Sequence, residues 1–88
     1  MKSAKDIEKE IDDQIKRLKK KKVEPEIIIL GTMAYYTLKV SNKELVEHVP
    51  NSGSYLKEWK GIKMIQQPIY ESGGVFKEEH ESVEVFGR

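Results

Sequence analysis

PEIIILGTMAYYTL, residues 25–38, decides how this chain is read. Ile27, Ile28, Ile29 and Leu30 leave no gap for a polar face. Such a run suits a central β-strand, residues 26–30, covered on both sides. Pro25 lacks a ladder donor and therefore fits the strand entrance. Gly31 and Thr32 turn the chain, and Thr32 is placed to cap a helix that begins near Met33 and runs towards Val40. Met33, Tyr36 and Val40 fall on one face of that helix.

Upstream, residues 3–22 carry the clearest helical signal. Ser3 with Asp6 three residues on forms a capping box, Asp standing where Glu is usual. Ile7, Ile11, Ile15 and Leu18 recur at spacings of four, four and three, with Ala4 extending the stripe backwards. Acids gather early and bases late, as the helix dipole favours. The stripe is narrow. It suits either the domain's own sheet or a partner helix, and it is too short for a coiled-coil assignment.

Downstream, Ser41-Asn42-Lys43-Glu44 matches the S-x-x-E capping box and predicts a second helical segment over residues 42–49, with Leu45, Val46 and Val49 inward. PNSGS at 50–54 is a turn. Residues 55–59 and 62–66 predict short strands joined at Lys60-Gly61, and Ser72-Gly73-Gly74 predicts a hairpin turn. Residues 82–86 predict a last strand, half-exposed or at an edge, Val83 and Val85 facing one way and Glu84 the other. The expected fold class is α+β: a long amphipathic N-terminal helix, then a small mixed or antiparallel sheet with a helical segment on one face. The expected organisation is one domain, residues 1–22 the helix and 25–88 the body.

Composition narrows the function classes. The chain has 88 residues, 38% hydrophobic and 35% charged. A core that small gains from self-association. There is no cysteine, hence no disulfide or thiolate metal site, which agrees with a cytoplasmic protein. No apolar run approaches the roughly 20 residues that span a bilayer. The N-terminus lacks the apolar stretch of a signal peptide.

The net charge of +1 hides an asymmetry. Lys16, Arg17, Lys19, Lys20, Lys21 and Lys22 form a basic run, whereas Glu71, Glu78, Glu79, Glu81 and Glu84 make the end acidic. The basic run is a candidate contact for a polyanion or an acidic partner. No aromatic residues interleave the lysines, which favours a solvated helix end or an acidic partner over nucleic acid.

Catalytic chemistry has little to stand on. Gly31-Thr32 sits where anions bind, but neither a P-loop nor a dinucleotide fingerprint surrounds it. His48 and His80 are the two histidines; His80 lies in a run of glutamates that reads as solvated. No serine stands in a nucleophile elbow. No cofactor or metal is expected. Trp59, between Glu58 and Lys60, is the aromatic best suited to anchor an interface.

One pattern is familiar. Pro25, Ile28, Ile29, Leu30 and Gly31, then Tyr35 and Leu38, then Trp59, Gly61, Ile62 and Ile65 resemble a unit of small phage- and prophage-encoded proteins. The same residues resemble a strand–helix–strand portion of tailed-phage major capsid proteins. The resemblance covers about half of the chain. It implies a viral or mobile-element protein, cytoplasmic or in the virion, that assembles with itself or with another viral or host protein; it brings no catalytic residue.

The expectation is therefore a non-enzymatic protein–protein interaction module that self-associates through Ile7, Ile11, Ile15, Leu18 and Trp59. The alternatives are a nucleic-acid binder using residues 16–22, and a small-ligand-binding protein or enzyme with its site beside Gly31-Thr32; a viral protein that blocks a host-defence enzyme fits the same residues.

Overall fold

A computed structural model describes residues 2–67 and 81–88. The architecture is α+β. Helix α1 (Ala4–Lys20) leads into strand β1 (Pro25–Leu30) and helix α2 (Thr32–Ser41). A single 3-10 turn (Lys43–Leu45) precedes the hairpin β2 (Val46–Val49) and β3 (Gly53–Leu56); β4 (Lys63–Gln66) and β5 (Val83–Gly87) follow. The main sheet has the order β4-β1-β5, with β4 parallel and β5 antiparallel to β1. The isoleucine run is thus the central strand. The hairpin predicted at residues 72–74 lies outside the described residues.

Helix α1 begins as its sequence dictates. The Asp6 N–H donates to Ser3 Oγ and the Ser3 N–H to Asp6 Oδ2, a reciprocal capping box. It ends in a left-handed turn. Lys22 adopts φ 60°, the Val23 N–H reaches the Leu18 carbonyl at 2.9 Å and the Lys22 N–H reaches Lys19 at 3.0 Å. This is the Schellman arrangement with lysine where glycine is usual.

The stripe of α1 is spent inside the chain. Ile7, Ile11 and Ile15 are buried, and Leu18 packs against the same cluster. They share one core with Ile28 and Leu30 of β1, Val83 and Val85 of β5, Leu56 of β3, Met64 of β4, and Ala34 and Leu38 of α2. Each fully buried aliphatic side chain contributes roughly 1.5–3 kcal/mol. Of the two partners that suit the stripe, the domain's own sheet is the one it has. Self-association through Ile7, Ile11 and Ile15 is corrected accordingly: these side chains are not on the surface.

Three further corrections concern local structure. First, the sheet is covered by helices on one face. Ile28 and Leu30 are completely buried, whereas Ile27, Ile29 and Ile65 are half-buried and Phe86 is 47% exposed. Second, Thr32 is inside α2; the N-cap is Gly31, without a side-chain cap, and Tyr36 and Val40 lie exposed. Third, residues 42–49 are a 3-10 turn and a strand, not a helix. The Asn42 amide is drawn away to Glu8 Oε1 at 2.7 Å, and Val46 to Val49 pair with Leu56 to Gly53. The capping box at Ser41 is unused because this pairing satisfies the backbone instead.

The last strand closes tightly on the α1–β1 connection. A Cβ at Gly87 would run into the Glu24 carbonyl oxygen and the Val23 side chain. The Arg88 N–H donates to that same carbonyl at 3.1 Å. At the other end, the Lys2 N–H donates to Glu81 Oε1, and Lys2 Nζ bridges Glu10 and the Glu81 carbonyl.

Candidate functional site

The surfaces that remain available follow from how the strand edges are treated. An edge strand points alternate N–H and C=O groups outwards, and these recruit other chains unless covered. In β5 the outward groups are those of Val83 and Val85, because Gly31 bonds to Ser82 and fixes the alternation. Gln14 of α1 takes both. Its Nε2 donates to the Val83 carbonyl at 2.6 Å and its Oε1 accepts from the Val85 N–H at 2.8 Å. One amide thus imitates a strand partner.

The outer side of β3 is covered in the same way by α2. The Leu56 N–H donates to Tyr35 Oη at 2.8 Å, and Lys39 Nζ donates to the Ser54 carbonyl at 3.0 Å while lying over the Tyr35 ring.

Strand β4 is treated differently. The Gln67 N–H donates to Leu30, so residues 63, 65 and 67 face β1, and the N–H and C=O groups of Met64 and Gln66 face outwards. Among the described residues no side chain covers them. They open into a groove of about 960 Å³ between β4 and the end of β3. Tyr35, Tyr55, Leu56 and Met64 give it apolar walls; Lys57, Lys63 and Glu58 stand at its rim.

The Trp59–Ile62 turn forms one end of this region. Trp59 and Ile62 exchange backbone hydrogen bonds of 2.8 and 2.9 Å across Lys60 (φ 50°) and Gly61 (φ 83°). Two positive φ values mark a tight two-residue hairpin turn, and glycine is suited to its second position. Trp59 Nε1 and Lys60 Nζ both reach Asp12 Oδ1 at 3.0 Å. The predicted anchor, Trp59, is therefore half-buried and tied to α1 within the chain.

Partial burial pushes the Asp12 carboxyl up, but the Trp59 and Lys60 hydrogen bonds and the Lys60 and Lys16 charges outweigh it, so its pKa lies below 3.8. A depressed carboxylate contributes stability above its unfolded-state pKa and loses it as pH falls through the folded value. The stability gap between the native chain and Asp12→Asn is therefore expected to be full at about pH 6 and to shrink below about pH 4. Urea melts at both pH values check this; an equal gap at both would contradict it.

The other sequence-flagged residues are scattered. Lys16, Arg17, Lys19, Lys20, Lys21 and Lys22 are exposed, and none forms an ion pair with a described acid. Glu81 is engaged with Lys2. The Gly31 N–H, the suspected anion donor, is taken by the Ser82 carbonyl, and Thr32 Oγ1 accepts from Gln66 Nε2 at 3.4 Å. His48 is exposed on β2, and His80 lies outside the described residues. Among the described residues no group of three His, Asp or Glu side chains is placed to hold a metal. Nor is any described helix long and apolar enough to cross a membrane.

No family model, curated protein or solved structure matches this chain.

Proposed function

We propose that this protein is a non-enzymatic protein–protein interaction module that self-associates through the face of its sheet opposite the helices. The observation that carries the proposal is the composition of that face. Cross-strand partners share a face, so Ile27, Ile29, Ile65 and Phe86 stand together, with Lys63 at one corner and Glu84 at the opposite one. Phe86 is exposed and the three isoleucines are half-buried, and contiguous apolar groups rimmed by charge are typical of contact surfaces.

The occupant is a second copy, because the patch complements itself. A twofold axis lying in its plane, perpendicular to the line from Lys63 to Glu84, sets each Lys63 against the partner's Glu84. Such isologous contacts are the commonest form of oligomer. The resemblance to small phage proteins favours the same role, assembly without catalysis. The rival reading is nucleic-acid binding, which the exposure of Lys16, Arg17, Lys19, Lys20, Lys21 and Lys22 favours.

Sedimentation or light scattering across a wide concentration range tests the proposal. The native chain is expected to associate and Phe86→Glu to be monomeric. Lys63→Glu or Glu84→Lys alone should weaken association, and the two together should restore it. A native chain that stays monomeric throughout overturns the proposal. Tight nucleic-acid binding at physiological salt that is lost when Lys19 to Lys22 become Gln would establish the rival.

A further inference from the structure

We propose that the outer edge of β4 is a strand-addition site for an extended, acid-flanked segment of a different protein. This goes beyond self-association through the sheet face: it uses the backbone edge of β4 and shares only Lys63 and Ile65 with that face. Its basis is the unequal treatment of the edges. Gln14 covers β5, and Tyr35 with Lys39 covers β3, each spending side-chain polar atoms on outward backbone groups. The Met64 and Gln66 backbone groups receive no such cover from the described residues and lie instead in a groove.

An added strand fits the groove's chemistry. Its backbone would bond Met64 and Gln66, and its alternate side chains would fall to opposite faces of the sheet. One set would meet Leu56 and Tyr55, and the other Ile65. Backbone pairing supplies affinity, and the alternating pockets supply preference for apolar side chains. Lys57 and Lys63 outnumber Glu58 at the rim, which selects acidic rather than basic flanks.

The probe is the peptide acetyl-Glu-Val-Thr-Val-Thr-Val-Thr-Val-Glu-amide, titrated into the Phe86→Glu chain so that self-association cannot interfere. Heteronuclear NMR and amide exchange give the readout. Saturable binding should slow exchange at the Met64 and Gln66 amides. Methylating the peptide's backbone nitrogens should weaken binding by more than about tenfold, since each lost hydrogen bond compounds. Lys57→Glu, an exposed site that leaves the fold intact, should weaken it by about threefold to tenfold at low salt. A peptide with lysine in place of both glutamates should bind less well.

Four results overturn the proposal, the last being pairing between two copies at β4. The first is no change at Met64 and Gln66 with millimolar peptide. The second is binding that survives backbone methylation. The third is full protection of both amides in the free monomer, which would mean that the chain itself fills the edge. If pairing at β4 links two copies of the Phe86→Glu chain, the occupant is a second copy, and the proposal fails in that form. Because every arm uses a chain disabled at the sheet face, failure here leaves the self-association reading untouched.

Discussion

Ile28→Ala is expected to lower the unfolding free energy by about 3–4 kcal/mol, and Ile29→Ala by about 1 kcal/mol. The two are neighbours on the central strand and chemically identical, so they differ only in what they face. Ile28 is fully enclosed among α1, α2 and the flanking strands, and truncation leaves a cavity that the helices cannot fill without moving. Ile29, half-buried, looks onto the face opposite α1 and α2, where truncation leaves less of a closed cavity and costs little. Domains of this size are stable by roughly 5–10 kcal/mol, so the first change removes a large share. Equal effects in urea melts would mean that both faces are equally covered.

Gln14→Ala is expected to cost about 1–3 kcal/mol and to promote aggregation. The substitution favours helix, so propensity works against any loss. The cost arises at β5, where the Val83 carbonyl and the Val85 N–H lose their partners together. Gln14→Glu separates the two contacts. Its carboxylate still accepts from Val85 but cannot donate to Val83, so its stability should fall between those of alanine and the native chain. A Gln14→Ala chain as stable and as dispersed as the native one would show that water covers the edge equally well.

The parts of the fold that were legible are those whose signal is local. The Ser3–Asp6 box and the isoleucine stripe mark α1 within eighteen residues. The β-branched run marks β1, and Val83-Glu84-Val85 announces an edge strand by alternation. At residues 42–49 the S-x-x-E box competes with a second local signal. Val46 and Val49 flank Glu47 and His48 before Pro50-Asn51-Ser52-Gly53, a strand-and-turn pattern. Tertiary pairing with β3 decided between them.

The candidate surfaces were harder to see. An open sheet face requires knowing that both helices pack on the other side, and the isoleucine run looks the same in either case. Edge cover by Gln14, Tyr35 and Lys39 depends on side chains meeting strands that are distant in sequence. No motif encodes it. The charges that flank Trp59 suggest partial exposure, which it has, but they do not reveal that Asp12 of α1 holds its indole.

The strand order β4-β1-β5 also governs how quickly this chain reaches its native state. The central strand finds neither neighbour nearby: Ile28 pairs with Met64 on one side and Val85 on the other. The isoleucine run gains ladder bonds only as one or the other of these long loops closes, and closure entropy opposes each step. Helix α1 nucleates early on its own caps and packs on α2 and β1, but its packing is complete only when β5 arrives. Refolding is thus expected on the slow, millisecond-or-longer side for a domain of this length, with a transition state in which the distant strands have already met.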